Sequence, residues 1–310
     1  MLNQTALPET SENESSDISN LVDRVHIDNI TPDMFHTKYR LASRPLLISG
    51  ALQQTDDWTL DYLREKIGSE KFQVRCYGKD HLKRPKYEWS KYCEMREMSI
   101  NSYAQHLESR EAHKEDMYLA QVPIGNTSIA NDVRSALGNL SERCDLQKAI
   151  DLCLWLGPTG HTEPLHWDSG DTTVLMLHGA KRAVLLPPEQ RKNLYSFSLF
   201  RSPAAPWFSK VYVDNPDYET FPKLREAMRH KIEIVINRGD ILYIPVYWWH
   251  EFSSVGDDFY SCSVNRFWKV KPLSLLTKNK LGLSLYISQL MLLSMAKLFQ
   301  GTPKKPMTGY

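Results

Sequence analysis

His166, Trp167 and Asp168 stand together in the stretch GPTGHTEPLHWDSGDTTVLMLHGAKRAVLLPP, and His250 follows far downstream in GDILYIPVYWWH. Two imidazoles and one carboxylate are a ligand set that holds a divalent iron on one face and leaves the opposite coordination positions open for chemistry. Residues separated by one neighbour project from the same side of an extended strand, so His166 and Asp168 can converge on one ion while Trp167 faces away. An isolated His-x-Asp is a weak signal in a chain with ten histidines, and its weight depends on its surroundings.

Such ligands need a rigid frame, and the sequence around them supplies one. From Leu152 to Trp268 the chain is a succession of short strands: LCLWLG, TEPLHWD, TTVLMLHG, KRAVLLPP, KIEIVI, DILYIP, WWHEFSS and FYSCSVNRFW. Gly, Pro and Asp part them, which argues for a barrel or sandwich. Upstream lies a mixed α/β lead-in. LVDRVHI alternates like a strand, Thr31 caps a helix opening at Pro32 and running through Tyr39, and RPLLISG reads as a buried strand. WTLDYLREKI (58–67) and SINSYAQHLESRE (99–111) have helical spacing, while KFQVRCY (71–77) and DMYLAQV (116–122) alternate as strands. A Pro-rich insertion over 201–229 is too long for a hairpin loop and suits a lid over a barrel mouth.

Composition sets outer limits. The 310 residues fit one β-rich domain with additions, and a net charge of +1 gives no global pull toward nucleic acid or membrane. Five cysteines without a C-x-x-C pair, and no apolar signal region at the start, point to a reducing intracellular compartment, cytoplasmic or nuclear. Residues 1–20 read as a disordered polar tail, 21–270 as the folded domain with its barrel core at about 115–268, and 271–310 as a C-terminal helical extension. Within that extension, 281–299 is apolar on all sides of a helical wheel. It is expected to pack or to form a homodimer rather than to anchor in a membrane, because Ser284, Ser288, Gln289, Ser294 and Lys297 interrupt it. The segment GKDHLKRPKYEWSKY (78–92) interleaves basic and aromatic residues. It could grip a phosphate backbone or an acidic peptide, although a solvated basic loop is the simpler reading.

Inside the strand block, Lys181 follows the turn Gly179-Ala180 and shares a face with Ala183 and Leu185. A lysine with such neighbours on an inward face calls for an anion, most simply a carboxylate, or it sheds its charge. On the closing strand Ser261, Ser263 and Asn265 share one face, a small hydrogen-bonding wall suited to a polar ligand.

These residues resemble the JmjC and cupin-like Fe(II)/2-oxoglutarate oxygenases. The His-x-Asp, the G-x-K-R segment fifteen residues after the first histidine, DNPDYETFP, GDILYIPVYWWH and the terminal V-N-R-F-W occur in that family's order and spacing, from about Arg44 to Trp268. The resemblance implies a double-stranded β-helix of the jelly-roll or cupin type, mainly β with flanking helices. It implies that His166, Asp168 and His250 bind Fe(2+) and that Lys181 and Tyr118 share the distal carboxylate of 2-oxoglutarate. Asn265 and Thr172 would lie near the cosubstrate, Thr172 at a position where relatives often have Asn. Glu163 departs from the pattern, since relatives commonly carry Thr or Ser there, and a carboxylate would repel the cosubstrate unless it points elsewhere. His161, His178 and His230 read as surface or internally satisfied histidines, and Trp248 and Trp249 as packing residues.

The resemblance is greatest to hydroxylases of asparagine, arginine or lysine side chains in proteins, and extends to a tRNA hydroxylase that oxidises a hypermodified guanosine. The implied reaction consumes 2-oxoglutarate and O2 and releases succinate and CO2. A protein or peptide substrate is expected. A tRNA, nucleotide or small-molecule substrate, N-demethylation by the same chemistry, and a non-catalytic binding module remain as alternatives.

Overall fold

The computed structural model describes residues 22–52, 58–79, 83–84, 89, 92–137, 140, 144–197 and 207–270. The expected N-terminal tail and the C-terminal helix at 281–299, with its dimer reading, lie outside the described residues, as does most of segment 78–92.

Among the described residues thirteen strands form two sheets. The lead-in strands β1 (Asp23–His26) and β2 (Leu46–Ser49) pair in parallel, and β3 (Lys71–Cys76) pairs with β4 (Glu94–Ser99) and β5 (Met117–Pro123). The barrel strands are β6 (Lys148–Pro158), β7 (Thr162–Trp167), β8 (Asp171–His178), β9 (Ala180–Leu186), β10 (Ile232–Asn237), β11 (Ile241–Ile244), β12 (Trp249–Val255) and β13 (Tyr260–Trp268). The larger sheet runs β1-β2-β11-β8-β13-β6-β5-β3-β4 and the smaller β10-β9-β12-β7. From β6 onward the chain crosses back and forth between the sheets, with only β9 and β10 consecutive in one of them. This back-and-forth course is that of a jelly roll. The lead-in is not a separate layer, because its strands extend the larger sheet at both edges.

Two amphipathic helices brace the larger sheet. Thr59 caps α1 (Leu60–Ile67) by accepting from the Tyr62 amide, and Ser99 caps α2 (Ile100–Glu108) by accepting from the Ser102 amide. Both bury one stripe, Leu60, Leu63 and Ile67 on α1 and Ile100, Tyr103, Ala104 and Leu107 on α2. The Tyr103 hydroxyl sits 2.8 Å from the Met117 carbonyl and 2.9 Å from that of Leu156, so α2 is fastened to β5 and β6. That anchors the strand carrying Tyr118. Elements that sequence patterning does not predict include β4, α3 (Ala130–Leu137) and the short helices Glu111–Lys114 and Leu224–Met228. The residue run after Thr31 is a short helix, Pro32–Met34, followed by a wider π-type turn at Phe35–Arg40 rather than one regular helix.

Candidate metal centre and the adjoining polar pocket

His166 lies on β7 and His250 on β12, and the antiparallel register makes them direct cross-strand partners. Their rings are 4.2 Å apart between centroids. Asp168 follows β7 by one residue, and one ligand atom from each of the three side chains lies within 4.8 Å of the others. The chain around Asp168 is fixed twice. Its carbonyl accepts from the Tyr247 amide at 3.0 Å, and the Asp171 carboxylate accepts from the Val246 amide at 3.0 Å and from Arg40 Nε at 3.0 Å. The loop that leads into His250 is thereby tied to the loop that carries Asp168.

The donor set fits a divalent ion. His166 Nδ1 donates to the Pro164 carbonyl at 2.7 Å and His250 Nδ1 to the Trp248 carbonyl at 3.0 Å, which leaves each Nε2 lone pair for a metal. Burial and the neighbouring His250 hold the His166 imidazole below its ordinary pKa, in the neutral form that ligates. Burial pushes the Asp168 carboxyl up, but His250, His166 and Thr172 more than offset it, so the carboxylate form is favoured. Thr172 Oγ1 donates to Asp168 Oδ2 at 3.1 Å. Its hydroxyl therefore serves the ligand carboxylate. Phe208, from the first third of the 201–229 insertion, stacks on His166 at 5.4 Å, while Trp207 and Ser209 exchange backbone hydrogen bonds with Trp167 and Leu165.

One strand away from His250, on β9, Lys181 is 4% exposed. Gly179, at φ 69°, makes the tight turn that brings the lysine inward; a Cβ there would meet the Tyr260 carbonyl at 2.8 Å. The ammonium donates to Ser263 Oγ at 2.8 Å and to the Tyr118 hydroxyl at 3.4 Å. Among the described residues no carboxylate lies within ion-pair distance of it. Burial pushes its pKa down to about 8, against the pull of Cys262 and Glu163. A buried ammonium held by two hydroxyls has the chemistry to receive a carboxylate. Asn265, on the same strand as Ser263, is half-buried and pairs in register with Cys153 and Val174.

Behind Tyr118 is a group that sequence reasoning set aside. His161 is buried, its ring stacked on Tyr118 at 3.7 Å between centroids, and its Nδ1 contacts Asp116 Oδ1 at 2.8 Å. Glu163 is 5% exposed, with Oε2 at 4.0 Å from His161 Nε2 and 3.7 Å from Arg75 Nη1. Arg75 faces Tyr118 directly across β3 and β5. Burial raises the Glu163 carboxyl, but His161, Arg75 and His166 outweigh it and bring the pKa to about 2. Burial lowers the His161 pKa, but Asp116 and Glu163 outweigh it and raise the pKa above its ordinary value. His178 stacks on Tyr260 and His230 pairs with Glu226 at the surface, as ordinary histidines do. Trp249 and Trp248 are packing residues.

Comparison with known proteins agrees with this architecture. The cupin-like domain family matches residues 32–274. JmjC domain-containing protein D of Dictyostelium discoideum is 25% identical over 73% of this chain and 52% of its own length. Jumonji C domain-containing protein 5 of Drosophila melanogaster is 27% identical over 78% of this chain and 59% of its own. The human HSPB1-associated protein 1 is 38% identical over a shorter stretch, 33% of this chain and 20% of its own. Against the two JmjC-domain relatives the chain spans somewhat over half of their length. With a jelly roll of two sheets, a histidine–aspartate–histidine cluster on and beside β7 and β12 and a family match over most of its length, the chain belongs to the JmjC and cupin-like family.

Proposed function

We propose that this chain is an Fe(II)- and 2-oxoglutarate-dependent oxygenase that hydroxylates a protein side chain. One observation carries the reading: an iron-type triad of His166, Asp168 and His250 shares the barrel with a buried lysine whose partners are hydroxyls and whose counter-ion is missing among the described residues. When bound, iron with 2-oxoglutarate and O2 supplies oxidative decarboxylation to succinate and CO2, coupled to insertion of one oxygen atom into a C–H bond.

The protein's own residues supply holding and orientation. His166 and His250 present Nε2 because their Nδ1 protons are committed to backbone carbonyls. Lys181, with Tyr118 and Ser263, receives the distal carboxylate and fixes the direction in which the cosubstrate extends. Trp167 and Trp249 pack beneath the ligand strands, and Phe208 covers one face of His166 and keeps water from it.

A second reading, a tRNA substrate, is favoured by one contact. Tyr212 donates to the Arg84 carbonyl at 2.7 Å and packs near Trp89 at 6.2 Å, which attaches part of the basic segment to the chain that runs beside β7. The name of the Xenopus tropicalis relative, lysine-specific demethylase 8, adds demethylation, which starts from the same C–H insertion at a carbon next to nitrogen. The deciding experiment measures succinate released from 2-oxoglutarate by the iron-loaded protein against peptide pools, total tRNA and metabolite extracts. Product mass then separates an added oxygen from a lost methylene. Stimulation by peptides with one added oxygen is expected; stimulation by tRNA alone transfers the proposal to the second reading. Release of formaldehyde makes it a demethylase.

A further inference from the structure

Glu163 places a buried carboxylate beside His161, which stacks on Tyr118, and the Tyr118 hydroxyl meets the one lysine that must stay free for an anion. In the low-dielectric interior such a carboxylate is the natural partner of Lys181, and a closed pair would leave no seat for the cosubstrate. The structure holds them apart. Glu163 Oε2 is turned to Arg75 Nη1 at 3.7 Å and His161 Nε2 at 4.0 Å, while Lys181 turns to Ser263 and Tyr118. Asp116 supports His161 from the far side at 2.8 Å. With His161 protonated, Arg75, Glu163, His161 and Asp116 form a row of alternating charge, and Lys181 lies outside it.

We propose that Arg75 and His161 are positioning residues that hold Glu163 away from Lys181 and so keep the lysine available to the cosubstrate's distal carboxylate. The inference rests on the oxygenase reading and extends it to residues that touch neither metal nor cosubstrate. It also gives Glu163 a use: its charge favours the charged form of the buried lysine, while its oxygen stands at ion-pair distance from Arg75 and His161 instead. A hydroxyl at that position would bind the anion directly; here the same task falls to Ser263 and Tyr118.

The prediction has a definite sign. Removing a cation from the row weakens the hold on Glu163, which is then expected to turn toward Lys181. The test titrates 2-oxoglutarate into full-length protein loaded with Mn(II), which occupies such sites without turnover, and measures Mn(II) affinity in parallel. Arg75→Gln is expected to weaken 2-oxoglutarate about ten-fold or more, the scale of one charge-assisted contact, with Mn(II) affinity held within about three-fold. The double variant Arg75→Gln/Glu163→Gln, which restores a neutral row, is expected to recover affinity to within about three-fold of the wild type. Mn(II) affinity and Tm held near the wild-type values in the single variant separate this from a general structural role, which would weaken both ligands. If the Arg75 variants do not fold, His161→Gln and His161→Gln/Glu163→Gln make the same comparison. Unchanged affinity in the single variant, or a double variant as weak as the single, overturns the inference and leaves the oxygenase reading standing. Wild-type protein that binds Mn(II) but not 2-oxoglutarate overturns both.

Discussion

Thr172 Oγ1 donates to Asp168 Oδ2 at 3.1 Å, and His250 Nε2 lies 3.5 Å from the same oxygen. A carboxylate one residue beyond the end of its strand owes its orientation to such contacts more than to the backbone. Replacing Thr172 with Val keeps the shape and removes the donor. Partners of this kind typically contribute about ten- to a hundred-fold to metal affinity. Thr172→Val is expected to weaken Fe(II) or Mn(II) binding by about ten-fold while 2-oxoglutarate affinity at saturating metal is kept. Metal titration followed by cosubstrate titration checks it. Unchanged metal affinity with weaker 2-oxoglutarate binding would instead assign the hydroxyl to the cosubstrate.

Lys181 links function to stability. Its pKa in the folded protein is about 8, below the ordinary 10.5. At pH below 8 both folded and unfolded chains carry the proton and the cost of burial is felt in full. Between 8 and 10.5 the unfolded chain binds more protons, so stability rises with pH across that window. At about 1.4 kcal/mol per pKa unit, the cost at neutral pH is on the order of 3 kcal/mol. Lys181→Met is therefore expected to raise the Tm of the cosubstrate-free protein at pH 7 while 2-oxoglutarate affinity falls about ten- to a hundred-fold. Thermal melts with and without 2-oxoglutarate check both halves. In the wild type, cosubstrate affinity should also decline as pH rises through 8.

The strand block and the three metal-ligand candidates were legible because alternation and the one-residue spacing act within a few residues of chain. The facing of His166 and His250 was not, since it depends on the register between β7 and β12, which a bulge between His250 and Phe252 adjusts. His161 was passed over although His161-Thr162-Glu163 has the same spacing as His166-Trp167-Asp168. The signal was there, but its meaning comes from Arg75 and Asp116 on or beside other strands of the larger sheet. β4, EMREMS, was invisible to hydrophobic patterning because it is an edge strand with mostly exposed side chains on both faces.

Gly157 on β6 is expected to be intolerant of any side chain. A Cβ there would stand 2.3 Å from Tyr118 Cδ2, and the ring cannot retreat because His161 stacks on it at 3.7 Å and Trp155 lies at 5.8 Å. Gly157→Ala must push the Tyr118 hydroxyl off Lys181, at a cost in stability of about 1–3 kcal/mol from overpacking. Weaker 2-oxoglutarate binding with normal metal affinity is the expected pattern, read by calorimetry. Equal cosubstrate affinity in the variant would show that Lys181 and Ser263 suffice without the tyrosine.

Loss of the metal should not unfold the protein. The strands that carry His166 and His250 are held by ladder hydrogen bonds to each other and to β9, and by the apolar cluster of Leu165, Trp167, Val184, Leu186 and Trp249. None of that requires the ion. His166→Ala and Asp168→Ala are each expected to abolish stoichiometric iron binding and 2-oxoglutarate turnover, with Tm shifted by only a few degrees, as for a change of about 1 kcal/mol. Removing the metal from wild-type protein with a chelator should give the same folded, inactive state and be reversed by Fe(II). Metal analysis and circular dichroism on the same samples decide the matter. Wild-type iron content in both variants would place the metal elsewhere, and unfolding on chelation would make the ion part of the fold.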